Sequence, residues 1–260
     1  MDLLQNISYY WTKKLDPRVA NQPFVASFYQ IPLIIFAYLY FVLEWGPKFM
    51  KNRSPYNLKT FMQLYNIIQI FMNTWLIYEA IDADLFSKKI ICPVLNYSYD
   101  DFSMKVIRCG WIYFMLKIFD LIETGVFVLR KKKNQVSNLH LYHHVSVVFI
   151  SWLTIRYYCV TFITIPCVIN CFIHVVMYTY YFLSTCGPNV QKIVVSIKRW
   201  ITVMQLVQFI MVMLYILHPL ILRCKVTSNW IIIILIINLL INFFNFLHFY
   251  IQTYEKKKKN

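Results

Sequence analysis

An all-α integral membrane fold, a bundle of seven transmembrane helices, is what the sequence predicts. The 260-residue chain is 59% hydrophobic and only 14% charged, with a mean hydropathy of +0.52, which is too apolar for a soluble domain. Apolar runs of the roughly 20 residues needed to cross a hydrocarbon core recur along it. Its basic residues collect in alternate segments between those runs, so the formal charge of +15 describes orientation in a membrane rather than a nucleic-acid surface.

The spans fall near residues 24–44, 58–81, 104–130, 139–158, 161–184, 200–219 and 229–252. The first run is longer than a signal-peptide core, lies well inside the chain and precedes no evident cleavage site, so it is expected to be retained. A basic loop follows it (Lys48, Lys51, Arg53, Lys59), another follows the third span (Arg130 to Lys133), and a third follows the fifth (Lys192, Lys198, Arg199). Lys256 to Lys259 come after the seventh. The opposite side holds Lys13, Lys14, Arg18, Lys88, Lys89, Lys105, Arg156, Arg223 and Lys225, partly balanced by Asp82, Asp84, Asp100 and Asp101. This asymmetry puts the N-terminus in a lumen or outside and the C-terminus in the cytosol. The sequons at Asn6 and Asn96 fall on the lumenal side, in agreement. Spans this close leave no room for a soluble domain, and residues 1–260 are read as a single membrane domain.

Topology also sorts the cysteines. Of seven, only Cys92 and Cys224 fall in lumenal loops, where an oxidising compartment would let them pair. The tail "YEKKKKN" is a basic membrane-surface anchor by charge. Lys257 and Lys258 within it also resemble the dilysine retrieval signal of endoplasmic reticulum membrane proteins.

Ionisable and amide groups at membrane depth are costly unless they face the bundle interior, so each is a candidate site. In the third span, "KIFDLIETGVFVLRKK", about 100° per residue brings Lys117, Asp120, Glu123 and Thr124 onto one face. The fourth begins "HLYHH", with His140, His143 and His144 at i, i+3 and i+4. Asn170, His174, Met177, Tyr178 and Tyr181 share a stripe on the fifth, and Thr202, Gln205 and Gln208 share one on the sixth. Counted from the cytosolic ends at about 1.5 Å per residue, Glu123, His143, His174 and Gln205 all lie roughly 6 to 15 Å deep. Similar depth in four helices predicts one enclosed polar chamber opening to the cytosol. Interhelical hydrogen bonding would account for the amides and threonines, but it does not require imidazoles.

Two chemistries suit the imidazoles. One is metal ligation, for which the i, i+4 spacing is apt. A di-iron site of the membrane desaturase kind would need several histidine boxes, and this chain has six histidines in all, with His218 and His248 near other span ends. A single zinc ion needs fewer ligands. The other chemistry is nucleophilic and acid–base catalysis, with Asp120 or Glu123 fixing a ring tautomer. The number of histidines favours the second.

These residues resemble the ELO-type very-long-chain fatty acid elongases, the integral-membrane 3-ketoacyl-CoA synthases. The resemblance rests on "GPKFMKNRSPYNLK" (46–59), "YE" (78–79), "LRKKKNQVSNLHLYHH" (129–144), "NCFIHVVMYTYYFLSTCGPNVQK" (170–192) and "ITVMQLVQF" (201–209), in the family's order across roughly residues 24–255. It implies a seven-helix bundle enclosing an acyl-CoA tunnel in the endoplasmic reticulum membrane. The implied reaction condenses a long-chain acyl-CoA with malonyl-CoA to 3-ketoacyl-CoA, CO2 and CoA, with no cofactor and no metal. By the same resemblance the catalytic groups are His140, His143, His144, His174, Asp120, Glu123, Asn170 and Gln205. Lys117, Thr124, Arg130, Tyr178, Tyr181, Thr202 and Gln208 would contact substrate, Lys117 and Arg130 as partners of the CoA phosphates. Gln135 and the "HLYHH" form resemble the branch handling polyunsaturated or very long chains. Expected partners are membrane lipid and the ketoacyl-CoA reductase and hydroxyacyl-CoA dehydratase of the elongation cycle; homo-oligomerisation is left open.

The chain departs from the family pattern in two places. The usual KxxExxDT reads "KIFDLIET", exchanging Asp120 and Glu123, and Pro166 in "VTFITIPCVIN" is expected to kink the fifth helix. Cys171 is a rival nucleophile that core packing explains better. A di-iron desaturase or hydroxylase and a seven-helix receptor are the alternative functions.

Overall fold

The structure, a computed structural model, describes residues 15–83, 97–157, 163–222 and 229–255. Regular structure in these segments is helical. Helix α1 runs Gln30–Met50, α2 Lys59–Asp82, α3 Asp101–Leu129, α4 Asn138–Tyr157, α5 Thr164–Thr185, α6 Pro188–Val195, α7 Lys198–Ile221 and α8 Asn229–Tyr250, the last extended by a π-turn at Ile251–Glu255. Among the described residues four stretches are long and apolar enough to cross a membrane: Gln30–Met50, Thr164–Thr185, Lys198–His218 and Ile232–Glu255. Large apolar side chains such as Leu33, Phe36, Phe71, Leu214 and Phe244 are exposed, whereas Asn66, Gln69, Lys117, Glu123 and Asn242 are buried. Apolar outside and polar inside is the arrangement a lipid solvent favours, and the chain is a multi-pass helical membrane protein. Helices α2, α3 and α4 carry amides, ions and histidines at depth, which makes them less apolar than the other four.

The helices group into two compact units, residues 1–56 with 93–163 and residues 57–92 with 164–260. In the first, α1, α3 and α4 pack around Phe114, Trp152, Ile155, Ile107, Val42 and Val148. Helix α1 starts at Gln30 rather than near residue 24, because the preceding segment turns: Phe24 holds a left-handed φ of 64° and Val25 N–H bonds Gln22 O at 3.2 Å. Buried Arg156 of α4 clasps that segment by donating to the carbonyls of Val25 and Ala26.

Midway, α1 widens into a π-turn at Phe41–Trp45. Pro47 supplies the cause, since it has no N–H for the Leu43 carbonyl and its ring would crowd that oxygen in a regular α-turn. Gly46 then meets α3 closely: a Cβ there would stand 2.6 Å from Phe41 O and 2.8 Å from Val128 Cγ1. Gly46→Ala should therefore destabilise this unit by about 1–3 kcal/mol, read as a lower unfolding midpoint in detergent; an unchanged midpoint would show that α1 can back away.

Helix α3 is capped by Asp100, which accepts from Ser103 N–H at 2.8 Å. It ends in a Schellman arrangement, with Lys132 N–H on Phe127 O at 2.9 Å and Lys131 at φ 54°. A 3₁₀ turn at Lys133–Gln135 leads to α4, where Ser137 Oγ accepts from His140 N–H at 3.2 Å. Two short connections thus set the histidine helix against the end of α3.

In the second unit α2 packs on α5, α5 on α7 and α7 on α8. Ala80 lies against Ile165, Val168 and Tyr215, and Phe209 meets Phe246 at 5.2 Å. Pro166 falls in the first turn of α5, where its missing N–H has no intrahelical partner to lose, so the kink expected from it has no cause. The short α6 lies outside the predicted spans; it opens at Pro188 behind Gly187, whose φ of 137° suits glycine. Cys92, Cys224, Lys257, Lys258 and the sequons' Asn6 and Asn96 lie outside the described residues.

Candidate functional site

In the first unit the polar stripes predicted for the third and fourth spans meet. Tyr38 OH of α1 donates to Thr124 Oγ1 at 3.0 Å, and Thr124 Oγ1 lies 2.8 Å from His140 Nε2. A threonine hydroxyl has one proton and two lone pairs, so Thr124 can accept from Tyr38 and still serve either tautomer of His140. His140 also packs on Phe127, with ring centroids 5.5 Å apart. Held on both sides, this ring is positioned rather than mobile.

His144, one turn on, overlaps His140 at a centroid distance of 4.1 Å. A Glu123 carboxylate oxygen and ring nitrogens of His140 and His144 all lie within 4.8 Å of one another. His143 stands outside that group, edge-on to His144 at 5.9 Å and 82°. Its own backbone carbonyl accepts from Ser146 Oγ. The box therefore divides into a pair beside the Glu123 carboxyl, His140 and His144, and a third ring edge-on to His144.

The exchanged carboxylates part company. Asp120 Oδ2 accepts from Lys117 Nζ at 3.3 Å with both side chains buried, and the ammonium sits 4.8 Å over the Tyr113 ring. Glu123, one turn further, serves the histidines instead. Lys117 is 2% exposed and engaged with Asp120, while Arg130 caps α3 with Lys131, Lys132 and Lys133 exposed beyond it. The exposed cations at this end of α3 are thus Lys131, Lys132 and Lys133, with Arg130 half-buried beside them.

In the second unit His174 of α5 is buried, its ring 5.6 Å from Tyr178 at 64°. Tyr178 meets Tyr181 at 6.1 Å and Tyr65 of α2 at 5.8 Å. Gln205 Nε2 of α7 reaches Met177 Sδ at 3.8 Å, a soft acceptor. Thr202 hydroxyl bonds back to Lys198 O at 3.4 Å, Gln208 is buried, and Asn170 is half-buried on α5. Cys171 is also buried on α5.

Sequence reasoning overlooked two features. Tyr38 is a lone tyrosine in an apolar run, which gives no signal of its partner. The other is a run of buried amides on α2, Asn66, Gln69 and Asn73, legible in "YNIIQIFMN" as polar positions on one helix face.

A search of known proteins gives a consistent picture. The family model described as "ELO: GNS1/SUR4 family" matches residues 23–260. The chain is 33% identical over 217 residues to "Very long chain fatty acid elongase 1" of Mus musculus, covering 83% of this chain and 77% of the relative. To "Very long chain fatty acid elongase 4" of Homo sapiens it is 33% identical over 256 residues, 96% of this chain and 80% of the relative. To "Very long chain fatty acid elongase 7" of Rattus norvegicus it is 35% identical over 207 residues, with coverages of 79% and 73%.

Proposed function

The chain belongs to the ELO (GNS1/SUR4) family, and on that footing we propose that it is a fatty acid elongase that condenses an acyl-CoA with malonyl-CoA. The observation that carries the chemistry is the divided histidine box: His140 and His144 backed by Glu123, with His143 set apart.

In the proposed first step, a ring nitrogen of His143 attacks the thioester carbonyl. The C–S bond breaks, the CoA thiolate leaves, and the ring proton passes to it. Malonyl-CoA then loses CO2, and the carbanion left at its α-carbon attacks the acyl-imidazole. A C–C bond forms as the C–N bond breaks, and one proton taken up from solvent regenerates the neutral His143 ring. Net, acyl-CoA, malonyl-CoA and one proton give 3-ketoacyl-CoA, CO2 and CoA. Negative charge develops on the thioester oxygen in both attacks, and an amide N–H from Gln205 or Asn170 would stabilise it. Gln205 suits this role, since its N–H donates to the soft Met177 sulfur at 3.8 Å. Arg130 and the exposed lysines after it match the CoA phosphates in charge.

The reading includes a seven-span bundle with an acyl tunnel, residence in the endoplasmic reticulum, and a reductase and dehydratase that consume the product. Its substrates would be polyunsaturated or very long acyl chains. Expression in a cell lacking its own elongases tests it: fatty acids should lengthen by two carbons, and no lengthening of any supplied acid would defeat it.

One observation favours a rival. Glu123, His140 and His144 could hold a single divalent ion, whereas two irons would need more ligands than this group offers. An ion would have to displace the Thr124 contact from His140 or use its other nitrogen. The metal-free reaction predicts that full activity survives exhaustive chelation and dialysis in detergent. Loss on chelation with recovery on adding zinc or iron would support the rival.

A further inference from the structure

Tyr38, Thr124 and His140 form a chain of hydrogen bonds across α1, α3 and α4, and its protons can be counted. Tyr38 OH lies 3.0 Å from Thr124 Oγ1, which lies 2.8 Å from His140 Nε2. Among the described residues these are the side-chain hydrogen bonds that the three groups make. Tyr38 is 8% exposed and Thr124 0%, so solvent does not reach the Thr124 hydroxyl. Thr124 also differs from Thr154, whose hydroxyl donates to its own helix at Ile150 O, 2.9 Å away. The Thr124 proton is left with Tyr38 or His140 as its acceptor.

Two links hold two protons. The tyrosine and threonine hydroxyls bring one each, so both links are filled when Tyr38 donates to Thr124 and Thr124 donates to a bare His140 Nε2. A proton on Nε2, in a neutral or a charged ring, would make three for two links. The Tyr38 or the Thr124 hydroxyl would then be a buried donor without an acceptor, which folded proteins avoid. Thr124 alone can serve either tautomer, but the chain as a whole serves one. Since the hydrogen bond at one ring nitrogen decides which nitrogen is protonated, His140 carries its proton on Nδ1.

Among the described residues that N–H meets no acceptor: Glu123 stands within 4.8 Å in the cluster but makes no hydrogen bond to His140. The ring is half-buried, unlike the sealed Thr124, and it packs between Phe127 and His144. It is therefore a fixed donor beside the other two histidines of the box. We infer that Thr124, steered by Tyr38, is a positioning residue that occupies Nε2 of His140, so that His140 enters the reaction through Nδ1–H as a donor to a reactant oxygen. The base and the nucleophile are then other groups. The inference rests on the condensation reading above, in which negative charge gathers on a thioester oxygen at each attack.

The test uses the full chain in nanodiscs with isotope-labelled histidine and solid-state NMR, in which the two neutral tautomers differ in their ring nitrogen and carbon shifts. His140→Gln identifies the His140 signals. Wild type and Thr124→Ser should both show the proton on Nδ1. Thr124→Val keeps the side-chain shape but removes the donor, and should move the proton to Nε2 in a large share of molecules. It should also lower kcat about tenfold, the size of one misplaced hydrogen bond, with Thr124→Ser within about twofold of wild type. Should Thr124→Val fail to fold, Tyr38→Phe frees the Thr124 hydroxyl to turn to its own helix and should mix the two forms. A protonated Nε2 in wild type, or an unchanged Nδ1–H in the folded variants, would overturn the inference. A shifted proton with wild-type kcat would overturn the role given to His140. The spectra need no turnover, so a proton that shifts as described in a chain forming no ketoacyl product would defeat the condensation reading and leave the tautomer assignment standing.

Discussion

Replacing His143 with alanine should abolish ketoacyl-CoA formation, a fall on the order of 10³-fold or more, because no other group in the proposed sequence takes the acyl chain. Position singles out this ring. His140 is fixed by Thr124 and Phe127, and His144 packs against His140 with Glu123 nearby. His143 alone stands outside that cluster. Rapid quenching with intact-mass analysis separates the roles further. Wild type should carry one acyl group when acyl-CoA is supplied without malonyl-CoA, His143→Ala should carry none, and His144→Ala should still acylate, more slowly. An unimpaired His143→Ala enzyme would transfer the nucleophile to another ring.

The second large effect separates the two carboxylates of α3. Glu123→Gln keeps size and shape but removes the carboxyl group beside His140 and His144, and should lower turnover about 10²-fold with an unchanged unfolding midpoint. Asp120→Ala should act the other way. It leaves the Lys117 ammonium buried over the Tyr113 ring without its carboxylate, at a loss of about 3–5 kcal/mol of stability, seen as low yield and a depressed midpoint. If Glu123→Gln turns over normally and a folded Asp120 variant is inactive, the assignments must be exchanged.

That division shows where sequence reading reaches its limit. The exchange of Asp120 and Glu123 is visible as letters, but which residue serves the histidines depends on helix register. Asp120 stands at i+3 from Lys117 and pairs with it, so Glu123 is left to α4. Periodicity located α2 to α5 within a few residues of their ends, since apolar runs between basic loops leave little choice. It misplaced the start of α1, where a left-handed Phe24 and the turns around it lie within an apolar run. The short α6 escaped because eight residues are too few for a span. At the site, histidine spacing made α4 legible, whereas Tyr38 was not, because its partner Thr124 is 86 positions away. The α2 amides carry no charge and no imidazole, so a search for ionisable groups passes over them.

The most direct test of the central claim is a single incubation. The purified full chain, in nanodiscs without reductase or dehydratase, is given a long-chain acyl-CoA and malonyl-CoA labelled in its methylene carbon. The account predicts release of CO2 and CoA in equal amounts and a labelled 3-ketoacyl-CoA two carbons longer than the acyl donor. CO2 release without label in a longer acyl-CoA, or no reaction with any acyl-CoA from long to very long chain, saturated or polyunsaturated, would contradict it.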